Sequence, residues 1–400
     1  MESAVRAPQP ARAIDAPRVR RPLFDDVRAA RALDRAQHIF TASLPLLAAD
    51  RSAPESIGRY GGAALVAESL ARAGRGDDAT VRAVLREALV FAPDRLSLYD
   101  GAAGLLVVLD ALDPQRASLA GVRARLHDAV DASVIGAPPG DPTDMLSFDL
   151  ISGVAGRAIA LGADASAEAR GALRAFAHAF ADTVEARLAS DDENVAAVNL
   201  GLAHGVPGML AALNAALPDE RALARRYVAL LLKRSHAVDG AHRWGSVWRA
   251  AERSSARRAW CYQTVGVAAV LADRARLDGD DALRALAANA LAGVLDDPEP
   301  ELGRWDDALC HGRAGVATIA WRFAAADTRF ARHAEQLARD VLDRFDERAP
   351  LGYRNYNLPA AREEDRAAFL DAALGVAQFL IDAATAQERR WLPLFGLLPD

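Results

Sequence analysis

Cys261 and Cys310 are the only cysteines in 400 residues, and they stand in the stretches Trp260-Cys261-Tyr262 and Leu309-Cys310-His311-Gly312. Thiolate and imidazole are donors that zinc takes readily, and Cys261, Cys310 and His311 together offer three of them. Structural zinc sites close with four protein ligands, whereas catalytic sites use three and leave a position open. A substrate thiol placed there would be deprotonated by the metal, and the thiolate is the nucleophilic form. The plainer alternative is a pair of inert core cysteines, but it gives no purpose to His311 beside Cys310.

For these residues to share one ion, segments far apart in the chain must converge. Each cysteine stretch opens an apolar segment that begins with a Gly-x-x-Gly-like turn. Seven such turns recur, starting at positions 58, 101, 153, 205, 263, 312 and 372. They run from Gly58-Arg59-Tyr60-Gly61 to the degenerate Ala372-Ala373-Leu374-Gly375. Self-similarity at a roughly fixed period marks a repeat architecture. Amphipathic segments alternate with them: Val81, Val84, Leu85, Ala88 and Leu89 form one helical stripe, and Leu173, Phe176, Phe180 and Val184 another. No convincing run of alternating strands is present.

A helix apolar all round must be buried, and one with a single stripe can lie outside it. Seven of each predict an all-α fold, an α/α toroid of seven inner and seven outer helices. Inner N-termini would gather at one mouth, with their partial positive charge facing a shared cavity. Residues just before each turn would line it: Tyr99-Asp100, Phe148-Asp149-Leu150, His204, the group Arg257, Trp260, Cys261 and Tyr262, and Cys310-His311.

The motifs Ala-His-Gly-x-x-Gly at 203–208, Trp-Cys-Tyr at 260–262 and Cys-His-Gly-x-x-Gly at 310–315 occur in this order. With them the sequence resembles the lanthionine synthetase C family, the lanthipeptide cyclases, from about residue 40 to the C-terminus. The resemblance implies a toroid with zinc held by Cys261, Cys310 and His311. It also implies addition of peptide cysteine thiols to dehydroalanine or dehydrobutyrine, giving lanthionine or methyllanthionine rings. The partners implied are a dehydrated precursor peptide and a separate dehydratase. Roles near the metal fall on the matching residues His204, Asp149, Arg257 and Tyr262. His204 suits a general acid that protonates the α-carbon of the enolate. Asp149 suits an orienting group or a helix cap, Arg257 a clamp on the enolate oxygen or a hold on the peptide, and Tyr262 a hydrogen-bond donor or a packing residue. The family usually has Gly where this chain has Gln263, a side chain expected to crowd the metal or alter the turn. A non-catalytic, precursor-binding role is the alternative within the family. A glycoside hydrolase toroid would need paired carboxylates such as Asp100 and Asp149, and would leave both cysteines idle.

Bulk composition is that of an ordinary globular protein, 52% hydrophobic and 26% charged, and the net charge of -6 argues against a nucleic-acid partner. Two cysteines make no disulfide framework, so a cytoplasmic location is expected. No apolar run is long and charge-free enough to span a membrane. Residues 1–25 are expected to form a flexible Pro-, Ala- and Arg-rich tail, and residues 26–400 a single domain, with 134–148 and 235–255 as candidate insertions.

Overall fold

The computed structural model describes residues 21–49, 57–90, 95–99, 101–112, 119–138, 141, 144–189, 198–248, 258–297, 305–325, 327–357 and 362–400. The chain alternates between outer and inner helices from the start. The outer helices are α1 (Asp26–Ala49), α3 (Asp78–Val90), α5 (Ala120–Ile135), α8 (Ala167–Ala189), α10 (Arg221–Lys233), α12 (Asp281–Asp296) and α14 (Thr328–Asp343). The inner ones are α2 (Gly62–Arg72), α4 (Ala102–Leu112), α7 (Val154–Leu161), α9 (Val206–Ala216), α11 (Thr264–Asp278), α13 (Arg313–Phe323) and α15 (Ala373–Ala384). A single turn, α6 (Met145–Phe148), precedes Asp149.

The inner helices form a closed ring. α2 packs on α4, α4 on α7, α7 on α9, α9 on α11, α11 on α13, α13 on α15, and α15 returns to α2. Burial follows the expected division. In α4 every residue but Asp110 is buried, whereas α14 buries only the stripe Phe330, Ala334, Leu337, Ala338, Val341 and Leu342. Side chains fix five of the outer-helix starts: Asp25 accepts from Arg28 N (2.9 Å), Asp77 from Thr80 N (2.8 Å), Ser166 from Ala169 N (3.0 Å), Asp280 from Leu283 N (2.9 Å) and Asp327 from Arg329 N (2.8 Å).

The repeated second glycine has a steric cause. A Cβ at Gly266, Gly315 or Gly375 would collide with the carbonyl oxygen of Trp260, Leu309 or Phe369, each six residues earlier. The first turns of α11, α13 and α15 therefore lie directly on the rim segments that precede them.

The chain's last residues fill the centre. A 3-10 turn, Leu392–Phe395, packs against α4 and α7, and Trp391, Leu392, Leu394, Phe395 and Leu397 are buried. Phe395 stacks on Trp260 at 4.4 Å and accepts its indole N–H (2.8 Å). Leu398 N donates to Asp273 Oδ2 on α11 (2.9 Å).

Two details differ from the sequence expectations. Three short antiparallel ribbons exist among the described residues: β1 (Val198–Asn199) with β4 (Val247–Trp248), β2 (His236–Val238) with β3 (Ala241–Arg243), and β5 (Asn355–Asn357) with β6 (Arg362–Glu364). Strands of two or three residues carry no periodicity to read. Leu23 and Phe24 also donate their backbone N–H groups to Ala383 O, and Phe24 is buried, so packed chain begins before residue 25. Residues 1–20, the bulk of the expected tail, lie outside the described residues. No helix among those described is long and apolar enough to cross a membrane.

Candidate active site

Backbone hydrogen bonds tie the rim segments together in one direction. Leu150 N donates to Ala203 O (3.0 Å), Ala203 N to Cys261 O (3.2 Å), Cys261 N to Cys310 O (3.2 Å), and Cys310 N to Leu370 O (2.8 Å). Ala203, Cys261, Cys310 and Leu370 occupy the same place in their repeats, two residues before the turn. The ladder therefore sets the next residues, His204, Tyr262, His311 and Asp371, in matching positions around one mouth.

Cys261 is buried and Cys310 partly so, and both are free thiols. The Cys261 side chain is the first cause, and burial the second, that holds the Cys310 thiol well above its ordinary pKa. The two sulfur groups thus face each other. His311 lies on the same side: its Nδ1 is 3.2 Å from Asp306 Oδ2. Burial pulls the His311 pKa down, but the hydrogen bond and charge of Asp306, with Cys261 and Asp371 nearby, outweigh it and the net shift is upward. Asp306 is itself buried, and its Oδ1 accepts Ala308 N (3.1 Å).

The donor set fits zinc in kind, with two adjacent thiols and an imidazole whose other nitrogen faces a carboxylate. Metal-bound histidines are almost always held in that way. The spacing is looser than a ligated site: among the described residues no group of three or more His, Cys, Asp or Glu side chains is gathered so that it could hold a metal ion. Asp306 Oδ2 likewise lacks a well-aligned donor.

Beside this group is a second one. His204 Nδ1 lies 2.7 Å from Asp149 Oδ2, while Asp149 Oδ1 accepts Ser152 N (2.7 Å) and Gly153 N (3.0 Å). Asp149 is 1% exposed, so these bonds fix its carboxylate. One oxygen holds the turn that leads into α7, and the other is the partner of the imidazole. Nε2 is the nitrogen His204 does not commit to Asp149. Tyr262 tilts against the imidazole, with ring centroids 6.0 Å apart. Arg257 and Asp100 lie outside the described residues.

Three other histidines have local partners. His127 Nε2 meets Asp164 O (3.1 Å) and His333 Nε2 meets Asp296 Oδ1 (3.0 Å). His242, in the β2–β3 hairpin, meets Ser235 Oγ (2.7 Å).

The family profile described as "Lanthionine synthetase C-like protein" matches residues 35–395. The chain belongs to the lanthionine synthetase C-like family. Among solved structures it resembles nisin cyclase, at 16% identity and a TM-score of 0.66, over 91% of this chain and 97% of that one. At this identity the likeness establishes the toroid fold. No curated protein matches the chain by sequence.

Asp306 escaped the sequence analysis, as did Asn199. Each stands six residues before the first glycine of its turn, and each accepts an N–H two residues on, Ala308 N (3.1 Å) or Gly201 N (2.7 Å). That shared offset was the available signal.

Proposed function

We propose that the protein is a zinc-dependent lanthipeptide cyclase, closing thioether rings on a dehydrated precursor peptide. One observation carries this reading. The facing thiols of Cys261 and Cys310 are joined to the Asp149–His204 pair by the Ala203–Cys261 backbone bond. A nucleophile site and an acid site are thereby fixed side by side.

Cys261, Cys310 and His311 would hold the metal, which supplies deprotonation of a substrate thiol at neutral pH. Asp306 would hold the His311 ring. In the reaction the substrate sulfur bonds to the β-carbon of a dehydroamino acid, and the π electrons shift toward the adjacent carbonyl oxygen. The resulting enolate needs a proton at its α-carbon. His204 delivers that proton from Nε2, because Nδ1 is committed to Asp149. Asp149 orients the imidazole and stabilises its charged form, while its own position is locked by Ser152 and Gly153. Tyr262 packs on the imidazole and narrows its freedom. Arg257 is assigned the clamp on the enolate oxygen. Because the substrate must already contain a carbon–carbon double bond, a dehydrating enzyme acts earlier.

The test is reconstitution with dehydrated precursor peptide, with elemental analysis of the same samples. Wild type should carry about one zinc per chain and close rings, and Cys261→Ala should lose both. Unchanged ring formation by Cys261→Ala would eliminate the cyclase reading. Peptide binding without ring closure by the zinc-loaded wild type would leave the precursor-binding role.

A further inference from the structure

Gln263 follows Tyr262 at the start of α11, with φ 66° and ψ -154°. It is one of only two non-glycine residues with positive φ among those described. This region of backbone space is essentially reserved for glycine, and a side chain there persists only when its surroundings impose it. Gln263 is also 4% exposed, so its amide is inside the protein.

The buried amide leads to a specific partner. Gln263 Nε2 donates to Ser246 Oγ (3.3 Å). The next residue repeats the link, since Thr264 Oγ1 accepts Trp244 N (3.1 Å). Segment 244–246 runs directly into β4, which pairs with β1, and Ser246 O accepts Leu200 N (2.9 Å). β1 in turn enters the loop that carries His204. Gly201 in that loop lies so close to Cys261 O and Tyr262 Cδ1 that a Cβ would meet them at 2.5 and 2.9 Å. The β1–β4 ribbon is therefore a wall beside His204 and Tyr262, and Gln263 fastens it to the cysteine rim.

We propose that Gln263 is a positioning residue that holds the β1–β4 wall against the site, where the wall orders bound peptide. Backbone strain at Gln263 is the cost of placing an amide there. The kinetic part rests on the cyclase reading; the structural part does not.

Three variants separate strain from contact. Gln263→Gly removes both, Gln263→Ala removes the amide but keeps a Cβ in the strained position, and Ser246→Ala removes only the partner. Gln263→Gly should melt above Gln263→Ala by on the order of 1–3 °C, after allowing for the chain entropy that glycine adds to the unfolded state. Hydrogen exchange at the Leu200 amide should be faster than wild type in all three. With dehydrated precursor peptide, KM should rise roughly three- to tenfold, the size of one net hydrogen bond, while kcat stays within about twofold. Gln263→Ala combined with Ser246→Ala should be no worse than either alone. The proposal is overturned if Gln263→Ala melts at or above Gln263→Gly, if Leu200 exchange is unchanged, or if kcat falls while KM holds. Should the wild type close no rings, the cyclase reading falls, yet melting and exchange still decide whether Gln263 anchors the wall.

Discussion

Replacing Asp149 by Asn separates its two tasks with almost no change of shape. In wild type one oxygen accepts Ser152 N at 2.7 Å and Gly153 N at 3.0 Å, while the other faces His204 Nδ1 at 2.7 Å. The amide oxygen of Asn can keep the first two bonds. The amide nitrogen then points at His204 and is a donor only, so it opposes a proton on Nδ1. What is lost is a charge-assisted hydrogen bond in a buried setting, worth about 1.5–3 kcal/mol. At 1.36 kcal/mol per decade this is roughly a 10- to 150-fold fall in kcat. Because the two turn bonds survive, the melting temperature should move little, whereas Asp149→Ala loses them as well, at about 0.5–1.5 kcal/mol each. The assay is ring closure on dehydrated precursor followed by mass spectrometry at saturating peptide, with thermal melts of each variant. An Asn variant with wild-type kcat and an intact fold would refute the assignment of His204 as proton donor.

Asp306→Ala should weaken zinc binding by about 10- to 100-fold, measured by competition with a chelating dye, because His311 loses the carboxylate that orients its ring. Gly315→Ala should lower stability by roughly 1–3 kcal/mol or more in chemical denaturation, since the added methyl meets the Leu309 carbonyl and backbone must give way. After chelation of any metal, Cys310 should alkylate more slowly than a free cysteine peptide at pH 8. Its raised pKa keeps it as the unreactive thiol, and the rate should climb only as the pH passes the ordinary thiol range.

The toroid was legible because its steric requirement is written as glycine. The inner helices α7, α9, α11, α13 and α15 each rest on the carbonyl six residues before the second glycine, so the contact leaves a mark in the chain at Gly156, Gly208, Gly266, Gly315 and Gly375. The ring of rim residues followed from that register, and the structure places Asp149, His204, Cys261, Tyr262, Cys310 and His311 around it. Partners that meet only through the fold left no comparable mark. Asp306 reads as one of two adjacent acids after Trp305, and in the chain only its six-residue offset from Gly312 sets it apart from Asp307, which Arg313 (3.3 Å) and Arg344 (3.1 Å) neutralise. Ser246 and Gln263 are 17 residues apart with no pattern between them. At the aromatic end of the chain nothing local shows that Phe395 lies against Trp260.

Closure of the inner ring has a consequence for biosynthesis. α2 packs on α15, and Leu23 and Phe24 bond to Ala383, so early chain is completed by the latest. On the ribosome, α1 and α2 emerge long before the helix that covers them. Their apolar faces must wait through more than three hundred residues of translation, a period in which a chaperone, or a slow pause, would protect the nascent chain from its neighbours.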